Sequence, residues 1–133
     1  AWLAEQAPRS WRATLMLGER ALHRGELDSA LELFTAACTR GARHGEPLRR
    51  AARALAAQGH DTECISLVLS HWKASHGPLP LVTAIEAQLR LGRISDAVLA
   101  VARLRGLGEA ERDHPEVAEV CRKVEQLRVH HGL

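Results

Sequence analysis

This sequence predicts an all-α chain: a solenoid of antiparallel helix pairs closed by one last helix. Three observations carry that prediction. Apolar residues make up 46% of the 133 positions, Ala and Leu dominate them, and Tyr and Asn are absent; Ala and Leu are strong helix formers. Apolar residues recur at three- and four-residue spacing along most of the chain, the period of one helix face. The turn glycines Gly25, Gly59 and Gly92 stand 34 and 33 residues apart, an interval typical of helical-hairpin arrays.

The elements follow in order. Ala1 to Ala7 is helix-compatible and stops at Pro8. Ser10 has the chemistry of an N-cap for a helix from Trp11 to about Arg24, with Leu15, Gly18 and Leu22 on one face. Gly25 ends it, as glycine often does just past a helix. The second helix carries Leu27, Ala30, Leu31, Phe34, Ala37 and Cys38, with Asp28 near its positive end, and closes at Arg40-Gly41. Gly45-Glu46-Pro47 opens the third, with Pro in the tolerated first turn; it bears Leu48, Ala51, Ala52 and Leu55 and ends near Gly59. Asp61 or Thr62 caps the fourth, which runs through Ile65, Val68, Leu69 and Trp72 until Gly77-Pro78 breaks it. The fifth starts near Pro80 and reaches Gly92. The sixth carries Ile94, Ala97, Val98, Val101 and Leu104. Gly106 and Gly108 mark a turn, and Pro115 begins a final helix through Val117, Val120, Cys121, Val124 and Leu127.

The repeat extends beyond the glycines. Five residues after each comes a small residue (Ala30, Cys64, Ala97), and four further on a bulkier one (Phe34, Val68, Val101). With Leu17-Gly18, Gly25, Ala30, Phe34 and Ala37 in place, the chain resembles the tetratricopeptide repeat family, whose pattern is Leu-Gly, a Gly turn, then Ala and a bulky residue. Thr14, Ala21 and Ala42 depart from it, standing where the family often has Trp, Tyr and Pro. Ala51-Ala52 and Ala84-Ile85 replace Leu-Gly in the later repeats. The resemblance implies a right-handed α-solenoid. Residues 9–43, 44–77 and 78–108 form three repeats, 109–133 a C-terminal capping helix, and 1–8 the tail of a preceding repeat or an N-terminal extension. Phe34 is then expected to fill the gap between neighbouring repeats. The charges around the last helix suit a solvating cap.

Composition excludes several classes. Eighteen basic and 16 acidic residues leave a net charge of +2, too balanced to point to nucleic acid, and aromatic residues that could stack on bases are missing beside the arginines. No apolar run approaches a membrane span. Cys38, Cys64 and Cys121 form no disulfide framework, which favours a reducing compartment such as the cytoplasm.

Candidate chemistry is sparse. Ser70-His71-Trp72-Lys73 matches Ser-x-x-Lys, but the companion Ser-Asp-Asn and Lys-Thr-Gly elements are missing. His60 and Cys64 lie one helical turn apart, yet two ligands do not make a metal site; Cys64 reads better as a small packing residue. His130-His131 reads as a solvated tail. No catalytic residue, cofactor or metal ligand is assigned.

What remains is surface. The resemblance implies that the first helix of each pair lines a concave groove. Arg12, Leu15, Met16, Glu19, Leu22 and His23 would come from the first repeat. Glu46, Arg49, Arg50 and Arg53 would come from the second, and Val82, Thr83, Glu86, Leu89 and Arg90 from the third. An apolar floor beside a basic cluster suits a peptide or helix with apolar anchors and acidic groups, although Arg49, Arg50 and Arg53 also fit a plain solvated face. The expected function is a non-enzymatic protein-interaction module or scaffold whose partner is an acidic peptide or another copy of the chain. The alternative is an accessory domain of a larger enzyme or membrane-associated protein in envelope biogenesis or regulation. Some relatives grip acidic chaperone tails with Lys and Asn; with no Asn here, and Leu15 and Glu19 where that clamp begins, this binding mode is disfavoured.

Overall fold

A computed structural model describes residues 10–133. The described residues are all-helical: α1 (Trp11–His23), α2 (Leu27–Arg40), α3 (Glu46–Ala57), α4 (Asp61–His71), α5 (Leu79–Arg90), α6 (Ile94–Arg105), α7 (Glu109–Arg112) and α8 (Pro115–His130). The tail expected over residues 1–8 lies outside them.

Helix ends alternate in a regular way. At the end of α1, Gly25 N–H donates to Leu22 O and Glu26 N–H to Ala21 O, which satisfies carbonyls that a helix end otherwise leaves orphaned. The same two bonds recur at Gly59-His60 after α3 and at Gly92-Arg93 after α5. They recur a fourth time at Gly132-Leu133 after α8. Gly25 takes φ +78° there, a backbone region open to glycine at little cost. Helices α3, α5 and α8 also carry Pro in their first turn (Pro47, Pro80, Pro115). By these marks α8 belongs with α1, α3 and α5.

Packing follows the same alternation. Helix α1 packs on α2, α3 on α4, and α5 on α6. The helices with glycine ends also meet in series: α1 on α3, α3 on α5, α5 on α8. One core runs through all of them. Leu15, Phe34, Leu48, Leu55, Leu81, Ile85 and Leu104 are at most 1% exposed. The small residues Ala30, Cys64 and Ala97 are fully buried. Truncating a buried aromatic such as Phe34 costs about 3–5 kcal/mol, a large share of a typical domain's ~5–15 kcal/mol. The Phe34 ring packs against Gly18 of its own pair, since a Cβ at Gly18 would fall 2.7 Å from Phe34 Cδ1.

Several local expectations need correction. Ser10 precedes α1, but its side chain makes no capping bond; its carbonyl instead accepts from Thr14 Oγ1 at 3.1 Å. Asp61 is the first residue of α4 rather than its cap, and its carboxylate accepts from Arg90. Helix α4 stops at His71, six residues before Gly77. Trp72 turns extended there, and its indole N–H donates to Gly77 O at 2.8 Å. A short 3-10 turn, Ala74–His76, fills the gap. Between Gly108 and Pro115 the chain forms α7 instead of a plain turn.

Candidate functional site

The serial contact of α5 with α8 opens a groove of about 620 Å3. Glu86, Leu89 and Arg90 form one wall; Lys123, Gln126, Leu127 and His130 form the other. It continues into a smaller hollow of about 240 Å3, where Val82 and Glu86 face Pro115, Glu116, Glu119, Val120 and Lys123. Residue numbers rise in the same direction along both walls, so α5 and α8 run parallel here. The described length of wall, from Val82 to Arg90, is about 12 Å at 1.5 Å per residue.

The charges along this groove follow the helices that carry them. Glu116 and Glu119 lie toward the N-terminal end of α8, where carboxylates favour the positive end of the helix dipole. Arg90 and His130 sit at the C-terminal ends of α5 and α8, where cations are favoured. Leu89 and Leu127 are half-buried between them. The result is an apolar floor with Glu116 and Glu119 at one end, Arg90 and His130 at the other, and Glu86 and Lys123 in the middle.

Two of the charged groups are held by ion pairs. Arg90 Nη2 donates to Asp61 Oδ1 at 2.8 Å, and its Nε spans both Asp61 oxygens at 3.2 Å. That bond holds the Asp61 carboxyl below the usual carboxylate range. Lys123 Nζ stands 4.0 Å from Glu119, whose carboxylate is already bonded by Arg122 at 2.6 Å. Lys123 is therefore only loosely held.

The groove residues expected from sequence divide into three groups. Glu86, Leu89 and Arg90 come together in the large groove, and Val82, though only 3% exposed, forms part of the smaller hollow. Arg12, Met16, Glu19, His23, Arg49, Arg50 and Arg53 lie on α1 and α3, away from it. Met16 is 55% exposed, and Arg12, His23 and Arg53 are exposed. Leu15 and Leu22 are corrections: at 0% and 5% exposure they belong to the core and offer no surface. The basic cluster is also less basic than its sequence. Arg50 donates to Glu19 at 2.7 Å and approaches Glu46 at 3.7 Å, so it ties α1 to α3.

Lys123, Gln126, Leu127 and His130 were not expected at a groove, because α8 read as a solvating cap. Two signals in the sequence place them there. Pro115 follows Pro80 as Pro80 follows Pro47, and Gly132 closes α8 as Gly92 closes α5. Aligned on the closing glycines, Gly132 with Gly25, Lys123 and Gln126 take the positions that Met16 and Glu19 hold in α1.

The other sequence motifs are structural in this fold. Ser70 and Lys73 are separated by the end of α4, so they do not share the helix turn that would bring them together. Cys64 is fully buried, and burial pushes its thiol up to about 12. His60 faces Glu63 at 4.0 Å. The rings of His130 and His131 pack edge to face at 5.2 Å. Among the described residues, no helix is long and apolar enough to cross a membrane.

Comparison with known proteins returns no matching family model, curated protein or solved structure.

Proposed function

We propose that this chain is a protein-interaction module without catalytic activity: a right-handed array of tetratricopeptide-like helix pairs that holds a peptide or helix of a partner protein. The observation that carries the reading is the α5–α8 groove, about 620 Å3 with a leucine floor and charged walls. Ligand sites are typically concave, mostly apolar and furnished with a few polar groups. Helix-in-groove recognition uses such a floor for aliphatic anchors. The 34- and 33-residue interval and the recurring glycine ends support the array.

The test is selection of binders from a random 12-residue peptide library on the immobilised chain, followed by titration of the synthetic winners. Leu127→Lys puts a charge on the groove floor at a half-buried position. The expected result is a loss of affinity of tenfold or more with the melting temperature nearly unchanged. Selected peptides that bind Leu127→Lys as well as the parent chain would remove the groove as the binding site.

A further inference from the structure

The charge order of the α5–α8 groove specifies the direction and chemistry of what it binds. We infer that its occupant is a short amphipathic helix lying antiparallel to α5 and α8, with an acidic first turn and a basic last turn. This rests on the interaction-module reading above and adds to it the partner's polarity.

The argument starts from the walls. Both helices point the same way, so their partial positive ends share one end of the groove and their partial negative ends the other. Glu116 and Glu119 stand near the first end and Arg90 and His130 at the second; Glu86 and Lys123 lie between, each lining both hollows. A helix laid in antiparallel brings its own positive N-terminal end to the carbonyl ends of α5 and α8. Its first-turn carboxylates then meet Lys123 and His130, and its last-turn lysines or arginines meet Glu116, since Glu119 is already bonded by Arg122. An acidic first turn and a basic last turn are also what stabilise a helix by itself, so one charge order satisfies both the peptide and the groove. A parallel helix has to choose. With a basic first turn it matches the walls but opposes its own dipole; with an acidic first turn it places like charges together.

The floor sets the rest. Leu89 and Leu127 are half-buried and line the wider part, so the occupant's aliphatic residues belong on one stripe at three- and four-residue spacing. Lys123 is the free hand of the site. Its nearest carboxylate is 4.0 Å away and engaged by Arg122, whereas Arg90 is committed to Asp61.

The experiment uses two 14-residue peptides, amidated at the C-terminus, Ala-based with Leu at positions 4, 7, 8 and 11. One has Glu at positions 1–3 and Lys at 12–14; the other has the two charge blocks exchanged. Each carries a nitroxide at its N-terminus and is titrated into the full chain, with amide signals read by NMR. The expected result is that the acid-first peptide binds at least fivefold tighter and broadens His130 and Gln126 rather than Glu116 and Val117. The Lys123→Glu variant, changed at an exposed site, should lose most of that preference. Equal affinity of the two peptides, broadening at Glu116, or a preference untouched by Lys123→Glu would overturn the inference. Failure of both peptides while a library-selected peptide still depends on Leu127 would overturn the polarity and leave the interaction-module reading standing.

Discussion

Gly18 lies directly beneath the ring of Phe34 across the α1–α2 interface: a Cβ at position 18 would stand 2.7 Å from Cδ1 and 2.8 Å from Cε1. The ring is fully buried, so it has little room to move aside. The equivalent positions one and two repeats later are Ala52 with Val68 and Ile85 with Val101. The smallest residue of the first helices, Gly18, thus stands opposite the bulkiest of the second, Phe34.

This contact makes a coupled prediction. Gly18→Ala gains about 1 kcal/mol of helix propensity and loses about 1–3 kcal/mol to overpacking, so it destabilises overall. Phe34→Ala costs about 3–5 kcal/mol. In a Phe34→Val background, Gly18→Ala should become neutral or stabilising. Urea denaturation of the four proteins measures the coupling; strictly additive effects would mean the two residues do not share one space.

A second prediction concerns the link between loops. His76 Nδ1 accepts from Lys73 N–H at 3.1 Å, which leaves Nε2 to donate to Ala42 O at 2.6 Å. Beneath it, Gly45 approaches the His76 carbonyl so closely that a Cβ would stand 2.2 Å from the oxygen. Gly45→Ala is therefore expected to cost about 1–3 kcal/mol, even though its φ of −79° suits alanine. An unchanged urea midpoint would show that the two loops do not dock this way.

Acid stability should depend on Asp61. Its carboxyl is held below the ordinary range by the Arg90 hydrogen bond, so the folded state binds its proton later than the unfolded state does. The resulting stability is present above the ordinary carboxyl pKa and is lost as pH falls through the folded value. Asp61→Asn should lower stability at pH 7 and flatten the pH dependence of the melting temperature between about pH 5 and 2. Parallel pH curves for the two proteins would contradict the assignment.

The thiols should react unequally. Burial pushes Cys38 and Cys64 up to about 12, and both are at most 4% exposed. Cys121 is half-buried, and its thiol is raised by burial but opposed by Arg105. Because the thiolate is the reactive form, Ellman's reagent at pH 8 should titrate Cys121 first, and the other two only as the chain unfolds. Three equivalents released at one rate in the folded protein would argue against this packing.

The helices and their glycine ends were legible in the sequence because their marks are local. A glycine that closes a helix and an alanine that admits a neighbour announce themselves within a few residues. The groove was less legible because it is built by contact between segments some 35 residues apart. Leu15 shows the difference: it shares a helix with Met16 and Glu19, and only packing by other helices decides that it is buried while Met16 is not. Helix α4 shows another limit. Ser70, His71 and Trp72 are all tolerable in a helix, and what ends it is the indole of Trp72 bonding Gly77 five residues on. Helix α8 is legible from Pro115 and its apolar stripe, but its surrounding charges point to a solvated cap, whereas Gly132 closes it with the same bonds that close α5.

The most direct measurement is an amide chemical-shift map of the chain bound to a library-selected peptide. The expected perturbations fall on Glu86, Leu89, Lys123, Leu127 and His130, on both walls of the α5–α8 groove. Perturbations confined to Leu31, Leu67 and Ser70 on the α2–α4 side, or to Met16 and Arg53, would contradict the groove as the binding site.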